Sequence, residues 1–195
     1  MHRIWNNLRM FLWLTLLTGI VYPLVVTTIA QLTMKQKADG DFLSVNGKIV
    51  GSRLIAQKFQ NDKYFWPRPS STDYNTLPSG GSNLGPTSTA LQKAVVERKE
   101  AILKTQGAAK DTPIPSELLF ASGSALDPHI SPATAQFQID RILKARNLDN
   151  TSGRAAINNL ITKLTVNRQF GFIGDPYINV LELNIALDEL TTKKS

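Results

Sequence analysis

Three serines, an aspartate and a histidine lie within ten residues of this sequence, in the stretch SGSALDPHIS (122–131). These are the residue types of a serine hydrolase, in which a histidine takes the proton of a serine hydroxyl and an aspartate orients the imidazole. Ser122 or Ser124 would be the nucleophile and His129 the base. The other histidine, His2, lies beside the first methionine, and we do not expect it to contribute.

The two prolines of this stretch favour a structural role. Asp127 precedes Pro128, and Ser131 precedes Pro132. A capping side chain followed by proline is typical of a helix start. We therefore predict two successive helix starts, with Asp127 and Ser131 as caps and His129 held between them. We expect no catalytic residue here, and a single histidine without a nearby acidic pair predicts no metal site.

A glycine-rich run, SGGSNLGP (79–86), is a second candidate binding element. Paired glycines flanked by serines can form a nest of backbone N–H groups that accepts an anion. The candidate contacts for a nucleotide or another anion are Ser79, Gly80, Gly81, Ser82 and Asn83. The run fits neither GxxxxGK[ST] nor GxGxxG. A turn that needs positive φ explains its glycines equally well.

Arg68 lies between two prolines in YFWPRPS (64–70), on a stiff backbone. A guanidinium can pair with a carboxylate, a phosphate or carbonyl oxygens, and we expect Arg68 to hold its own loop against the domain. Residues 61–86 are rich in Pro, Gly, Ser, Asn and Tyr and show no periodicity. This composition predicts a long ordered loop, of the kind that is commonly functional.

Residues 10–34 contain no charged side chain and are dense in large apolar residues. A bilayer core needs roughly 20 helical residues, and a cleaved signal peptide has a shorter apolar run that ends at a small-residue site. We predict an uncleaved membrane helix over residues 10–34, which divides the chain into a short N-terminus over 1–9 and a domain over 35–195. A cytoplasmic N-terminus with the large domain on the other side is permitted, because large domains cross largely regardless of charge. The flanking charges alone leave the orientation open.

The composition excludes several classes of function. The net charge is +7, but the charges are scattered, and nucleic-acid binding needs clustered Lys and Arg that follow phosphates. We therefore expect no nucleic-acid partner, whereas anionic lipid headgroups fit a basic chain with a membrane anchor. The absence of cysteine excludes disulfides and thiolate metal sites.

The elements that must position these residues are helices between short strands. Asn46-Gly47 predicts a type I′ hairpin turn. Leu181, Leu183 and Ile185 alternate with smaller or polar residues, which predicts a strand at least as far as Ile185. Helical periodicity begins at three places, namely near Ser88, around Pro132 and after Ser152. Together these patterns predict one compact α/β (α+β) domain after a single N-terminal transmembrane helix.

Five stretches, with the single N-terminal apolar segment, carry a family resemblance: GSRLIAQKF (51–59), YFWPRPS (64–70), SGGSNLGP (79–86), ASGSALDPHISP (121–132) and GDPYINVLELNIALD (174–188). In content and order they resemble the C subunit of the Kdp-type potassium-transporting P-type ATPase. The departures are Ala56 and Ala125, where glycine is expected, and Ser88-Thr89, where an Asn-Pro pair is common.

The resemblance implies a non-catalytic accessory subunit of an ATP-driven, high-affinity potassium uptake complex in a bacterial inner membrane. It also implies a single span, with residues 1–9 cytoplasmic and the domain over 35–195 extracytoplasmic. Its partners would be an ATP-hydrolysing pump subunit, a channel-like potassium-binding subunit and membrane lipids. It would be needed for assembly and activity and would raise the pump subunit's ATP affinity, with no firmly bound cofactor and ATP reached through the pump. The signature residues would serve the fold or an interface: Arg68, Ser122, Gly123, Asp127, His129 and Ser131. The alternative is a membrane-anchored serine hydrolase using Ser122 or Ser124 with His129.

Overall fold

The computed structural model describes residues 2–148 and 151–192. The chain forms two units, Met1–Val50 and Gly51–Ser195. The first contains the apolar N-terminal helix. The second contains the packed core and every signature residue.

The N-terminal helix is long and apolar enough to cross a membrane. It runs from His2 to Thr33, 32 residues with mean hydropathy 1.9, as helices α1 (His2–Leu16) and α2 (Tyr22–Thr33) joined by a π-turn at Leu17–Val21. Pro23 has no N–H for the carbonyl four residues earlier, and its ring crowds that carbonyl. The wider turn, in which Tyr22 N–H reaches the carbonyl of Leu17, relieves that crowding.

A short helix and a hairpin follow the apolar helix. Helix α3 spans Lys35–Ala38, and strands β1 (Phe42–Val45) and β2 (Lys48–Ser52) form a two-stranded sheet. Asn46 and Gly47 at the turn have φ of 52° and 77°. Positive φ at both turn positions is the geometry of a type I′ hairpin, so the predicted hairpin is confirmed.

The second unit is a helix-rich α+β fold. After the long loop come α4 (Thr89–Gln106), α5 (Ser116–Leu119), β3 (His129–Ile130), α6 (Pro132–Phe137), α7 (Ile139–Ala145), α8 (Thr151–Leu164), β4 (Ile178–Asn179) and α9 (Val180–Thr192). Strands β3 and β4 pair antiparallel. The core forms where helices α6 to α9 pack around a loop side chain, and its largest buried members are Phe65, Ile130, Ile139, Ile142, Leu143, Ile157, Ile178, Leu183 and Leu187.

The helix starts predicted near Ser88 and Ser131 are confirmed. Ser88 Oγ accepts from Leu91 N–H, and Ser131 Oγ accepts from Thr134 N–H. The second helix is shorter than its periodicity predicts, because the chain breaks at Gln138 between α6 and α7. The third predicted helix is α8, which begins at Thr151.

The strand predicted over 181–185 is wrong, because these residues belong to α9. The buried positions Val180, Leu183, Asn184 and Leu187 are spaced by three, one and three residues, as on one helix face. The alternation predicted a strand because Asn184 resembles an outward-facing polar residue in the sequence, whereas it is buried in the structure. Asn179 starts the helix, since its Oδ1 accepts from the N–H groups of Leu181 (3.1 Å) and Glu182 (3.2 Å).

Candidate functional site

Asp127 organises residues 122–131, which we call the signature stretch, without capping a helix, so the helix start predicted there is wrong. The chain enters strand β3 directly after Pro128. Asp127 Oδ1 accepts from His129 N–H (3.0 Å) in a tight turn, and Oδ2 accepts from Arg68 Nη1 (3.0 Å). A turn stabilised by the aspartate side chain uses the same residue types as a helix cap, which explains the error.

Arg68 holds its own loop to the domain, as predicted. Its guanidinium pairs with Asp127, and both side chains are 29% exposed. The carbonyl of Arg68 accepts from the Tyr74 hydroxyl (2.9 Å), and the carbonyl of Pro69 accepts from Ser122 N–H (3.0 Å). The contacts of Arg68 with Asp127 and of Pro69 with Ser122 join the 61–86 loop to the signature stretch over a separation of more than fifty residues, whereas the Tyr74 contact lies within the loop.

His129 joins Arg68 and Asp127 in a group of three side chains that we call the signature cluster. Its Nδ1 lies 3.6 Å from Asp127 Oδ1, and its ring contacts the ring of Tyr177 edge-on, with centroids 4.4 Å apart. Burial alone would raise the pKa of the Asp127 carboxyl. Hydrogen bonds from His129 and Arg68 more than offset it and hold that pKa below its usual range.

The lowered pKa predicts that Asp127 stabilises the fold except in acid. The contribution is present in full above the unfolded pKa of about 4 and is lost as the pH falls through the lower folded value. We expect the difference in unfolding free energy between wild type and Asp127→Asn to shrink as the pH falls below about 4. Urea unfolding at stepped pH measures it. A difference that grows in acid would contradict the assignment.

The serines of the stretch serve a turn. Ser122 is 2% exposed, and its carbonyl accepts from Ala125 N–H, while Ser124 Oγ accepts from Leu126 N–H (3.1 Å). Within residues 2–148 and 151–192, no hydrogen bond joins either serine to His129. No observation therefore favours the hydrolase alternative. Ala125 has φ of 63°, the left-handed region that favours the glycine expected by the resemblance.

The glycine-rich run packs against the signature stretch. A Cβ on Gly81 would lie 2.9 Å from the carbonyl oxygen of Gly123, so a side chain there would force the two backbones apart. Ser71 Oγ donates to the carbonyl of Gly80, and Asn83 has φ of 53°. Close backbone approach therefore accounts for Gly81. The proposed nucleotide contacts of the run stay a prediction, with the side chains of Ser79, Ser82 and Asn83 exposed.

Two buried amides, which we call the amide clamp, hold the chain at Phe65 and Trp66. Asn184 Oδ1 accepts from Phe65 N–H (2.8 Å), and its Nδ2 donates to the Phe65 carbonyl (3.0 Å). Gln138 Oε1 accepts from Trp66 N–H (2.8 Å), and its Nε2 donates to the Trp66 carbonyl (3.2 Å). Each amide therefore replaces the strand neighbour that a buried extended segment needs.

Two arginines bind the carbonyls next to the amide clamp. Arg141 Nη1 donates to the carbonyls of Asp62 (2.6 Å) and Tyr64 (3.0 Å), and its guanidinium lies 4.0 Å from the centroid of the Trp66 ring. Arg146 Nε donates to the Lys63 carbonyl (2.8 Å). The sequence analysis predicted no role for the two amides of the clamp or for the two arginines beside it. The available signal was a polar residue within an apolar helical face, at Gln138 and Asn184.

An exposed hairpin, residues 166–177, adjoins the signature stretch through the contact of Tyr177 with His129. Val166 and Tyr177 exchange backbone hydrogen bonds of 2.8 and 3.1 Å, as do Gln169 and Ile173 at 2.9 Å each. Phe170 and Phe172 at its tip are 86% and 74% exposed. Its charged residues, Arg168 and Asp175, pair at 3.1 Å, so the hairpin is electrically neutral.

A comparison with models of protein families shows the family to which this chain belongs. The model described as "KdpC: K+-transporting ATPase, c chain" matches residues 4–189. The chain belongs to the KdpC family. The resemblance drawn from the five stretches is therefore confirmed. The matched residues include nearly all of the apolar helix, the amide clamp, the signature cluster and the exposed hairpin.

Relatives in the KdpC family match over nearly their whole length. The chain is 47% identical over 183 residues to the potassium-transporting ATPase KdpC subunit of Paraburkholderia phytofirmans, covering 92% of this chain and 93% of the relative. It is 45% identical over 186 residues to that of Methylococcus capsulatus, with 94% and 95% covered. It is 47% identical over 182 residues to that of Leptospira interrogans, with 93% and 91% covered.

Proposed function

We propose that this chain is the non-catalytic accessory subunit of an ATP-driven, high-affinity potassium uptake complex in a bacterial inner membrane. Membership of the KdpC family over residues 4–189 carries the proposal. The polar signature residues support it, because Arg68, Asp127 and Ser131 are engaged in turns, caps and ion pairs. The subunit is needed for assembly and activity, and it raises the pump subunit's affinity for ATP.

Its partners are the ATP-hydrolysing P-type pump subunit and the channel-like potassium-binding subunit, together with membrane lipids. It holds no firmly bound cofactor, and ATP belongs to the pump subunit. The exposed 166–177 hairpin supports a protein contact, because exposed aromatic side chains commonly anchor interfaces. A lipid contact at the hairpin is disfavoured, since surface-bound membrane segments use unpaired Lys and Arg, and Arg168 is paired.

The chain crosses the membrane once. Residues 1–9 are cytoplasmic, 10–34 span the bilayer and 35–195 form the extracytoplasmic domain. The helix His2–Thr33 supports a single span by its length and its hydropathy. Translocation of the large domain needs no charge bias, because long segments cross largely regardless of charge.

The orientation predicts which engineered cysteines react in intact cells, and a chain without cysteine gives no background labelling. Asp111 and Asn6 are exposed, one in each unit. In spheroplasts, a membrane-impermeant maleimide should label Asp111→Cys at once and Asn6→Cys only after permeabilisation. Labelling in the reverse order would contradict the proposed orientation, whereas family membership would not be affected.

A further inference from the structure

An apolar cavity of about 400 Å³ lies between residues 59–74, the second half of α4 and helix α5. Binding pockets typically measure about 300–1,000 Å³ and are lined mainly by apolar and aromatic side chains. Three aromatic rings and two prolines line one wall of this cavity, namely Phe59, Trp66, Tyr74, Pro67 and Pro69. Among the described residues, no carboxylate lines it.

The polar atoms of Trp66 and Tyr74 are already paired with other parts of the fold. Trp66 Nε1 donates to the Asn61 carbonyl (3.2 Å), and the Arg141 guanidinium lies 4.0 Å from the centroid of its ring. The Tyr74 hydroxyl donates to the Arg68 carbonyl (2.9 Å). Both rings therefore present apolar surface to the cavity, and this surface fits an apolar group.

The backbone of this wall is not free to pair with a strand of another chain. Pro67 and Pro69 have no N–H group. The N–H and the carbonyl of Trp66 are held by Gln138, and the Pro69 carbonyl accepts from Ser122 N–H (3.0 Å). A chain that docks here is therefore recognised through its side chains and not by strand addition.

Arg98 is the only charged side chain that the described part of the chain places in the cavity lining. Its Nη1 donates to the neutral Leu119 carbonyl (2.9 Å), and it forms no salt bridge within residues 2–148 and 151–192. Its Nε and Nη2 lie at the surface, where another group can reach them. Burial raises the pKa of Tyr74 to about 12, Asp73 adds to that rise and Arg98 opposes it, so the Arg98 charge acts inside the cavity. Asp73 itself is bound by Lys58 Nζ (2.6 Å).

The cavity is wide open to solvent, and its lining residues Gln60 and Ala101 are exposed. Pockets for free small ligands enclose roughly 70–90% of the ligand surface. A free compound in this cavity would keep one side in water, whereas a side chain that enters from another chain is covered by the chain that carries it. The open shape therefore favours a segment of a partner chain.

We propose that this cavity receives a segment of a partner chain in which an apolar side chain lies beside a carboxylate. The apolar side chain packs against the aromatic wall, and the carboxylate accepts from the guanidinium of Arg98. Such a charge-assisted hydrogen bond is roughly twice as strong as a neutral one. The inference rests on the proposed function, because it needs a partner subunit. The cavity is separate from the 166–177 hairpin, and no residue of that hairpin lines it.

The apparent affinity of the immobilised full chain for its partner subunits tests the contact. Arg98→Gln removes the charge, and Ala101→Leu fills the open side from an exposed position, so each should weaken the affinity about tenfold. The matched Lys99→Gln and Ala90→Leu variants change exposed positions of α4 outside the cavity lining and should weaken it less than about twofold. Equal urea midpoints in the four variants exclude loss of folding.

A small probe tests the chemistry of the occupant. N-acetyl-phenylalanine carries an aromatic side chain beside a carboxylate, and its amide is the neutral match. Emission of Trp66 reports binding to the cavity when Trp5 and Trp13 are replaced by phenylalanine. The acid should bind saturably and release the partner subunits at about tenfold lower concentration than the amide does. Arg98→Gln should abolish this difference between the two probes.

Three results would overturn the proposal. The first is wild-type affinity for the partner subunits in both Arg98→Gln and Ala101→Leu, or equal weakening in the control variants. The second is a change of Trp66 emission without release of the partner subunits, since the cavity would then hold a free compound. The third is an amide that competes as well as the acid. A wild-type chain that retains no partner subunit contradicts the proposed function instead, and the Trp66 titration then still tests the preference for the acid.

Discussion

Replacing Asn184 by alanine is expected to lower the free energy of unfolding of the second unit by about 3–5 kcal/mol. The variant leaves the N–H and the carbonyl of buried Phe65 without partners. Each unpaired buried group costs about 1–3 kcal/mol, and the missing side chain adds a small cavity. Urea unfolding followed by Trp66 fluorescence measures the change, with Trp5 and Trp13 replaced by phenylalanine so that the signal reports the clamped segment alone.

A matched variant separates this effect from the loss of any asparagine in a helix. Asn159 lies on an exposed position of α8, and Asn159→Ala should change the unfolding free energy by less than about 0.5 kcal/mol. A loss of under about 1 kcal/mol in Asn184→Ala would show that water replaces the amide, and the amide clamp would then not hold the 61–86 loop.

Replacing both Phe170 and Phe172 by serine is expected to remove the chain from its complex while the domain stays folded. The side chains are 86% and 74% exposed, so the unfolding free energy should change by less than about 0.5 kcal/mol. Loss of two aromatic anchors typically costs an interface about 2 kcal/mol or more, which corresponds to at least about thirtyfold in affinity. The loss of affinity is measured by the amount of the partner chains of the potassium-transport complex that an immobilised variant retains.

The control for the hairpin variant removes exposed apolar side chains elsewhere in the second unit. Leu77 and Val96 are 89% and 53% exposed, and neither belongs to the hairpin. Leu77→Ser/Val96→Ser should retain the partner chains as wild type does. If the variant that lacks Phe170 and Phe172 retained the partner chains as wild type does, the hairpin would not belong to the interface. Equal loss in both variants would indicate that any exposed apolar side chain contributes to the contact.

Local signals in the sequence predicted the elements that depend on neighbouring residues. Asn46-Gly47 sets its own turn through positive φ, and Ser88 and Ser131 cap their helices by accepting from the N–H group three residues further on. The coarse fold, an apolar N-terminal helix before a mixed domain of helices and short strands, is confirmed. It could be predicted because its signals are also local. The apolar segment and the helix periodicities can be read within short windows.

The errors arose where distant contacts decide the local structure. Asn184 lies on the buried face of α9 because Phe65, 119 residues away, supplies its hydrogen bonds. When that partner is not considered, an asparagine is expected to be exposed, and the alternation around it then predicts a strand. Asp127 likewise turns toward Arg68 and His129 instead of capping a helix. No pattern within a window of neighbouring residues contains these partners.

The role assigned to the signature residues stays a prediction, while the structure shows which of them contact one another. Arg68 was expected to pin its loop, and its carboxylate partner is Asp127, one of the signature residues that the family resemblance selected. The amide clamp was missed, because Gln138 and Trp66 lie 72 residues apart and neither belongs to a recognised motif. The SGSALDPHIS stretch carries the residue types of a hydrolase, and the structure uses them for a turn, an ion pair and a helix cap.

Purification of the affinity-tagged chain from native membranes in a mild detergent tests the proposed function most directly. The predicted result is one complex that contains this chain, an ATP-hydrolysing P-type subunit and a channel-like subunit in fixed proportions, with ATP hydrolysis stimulated by potassium. Recovery of the chain as a stable monomer, with neither subunit present at any detergent concentration that keeps the domain folded, would contradict the account.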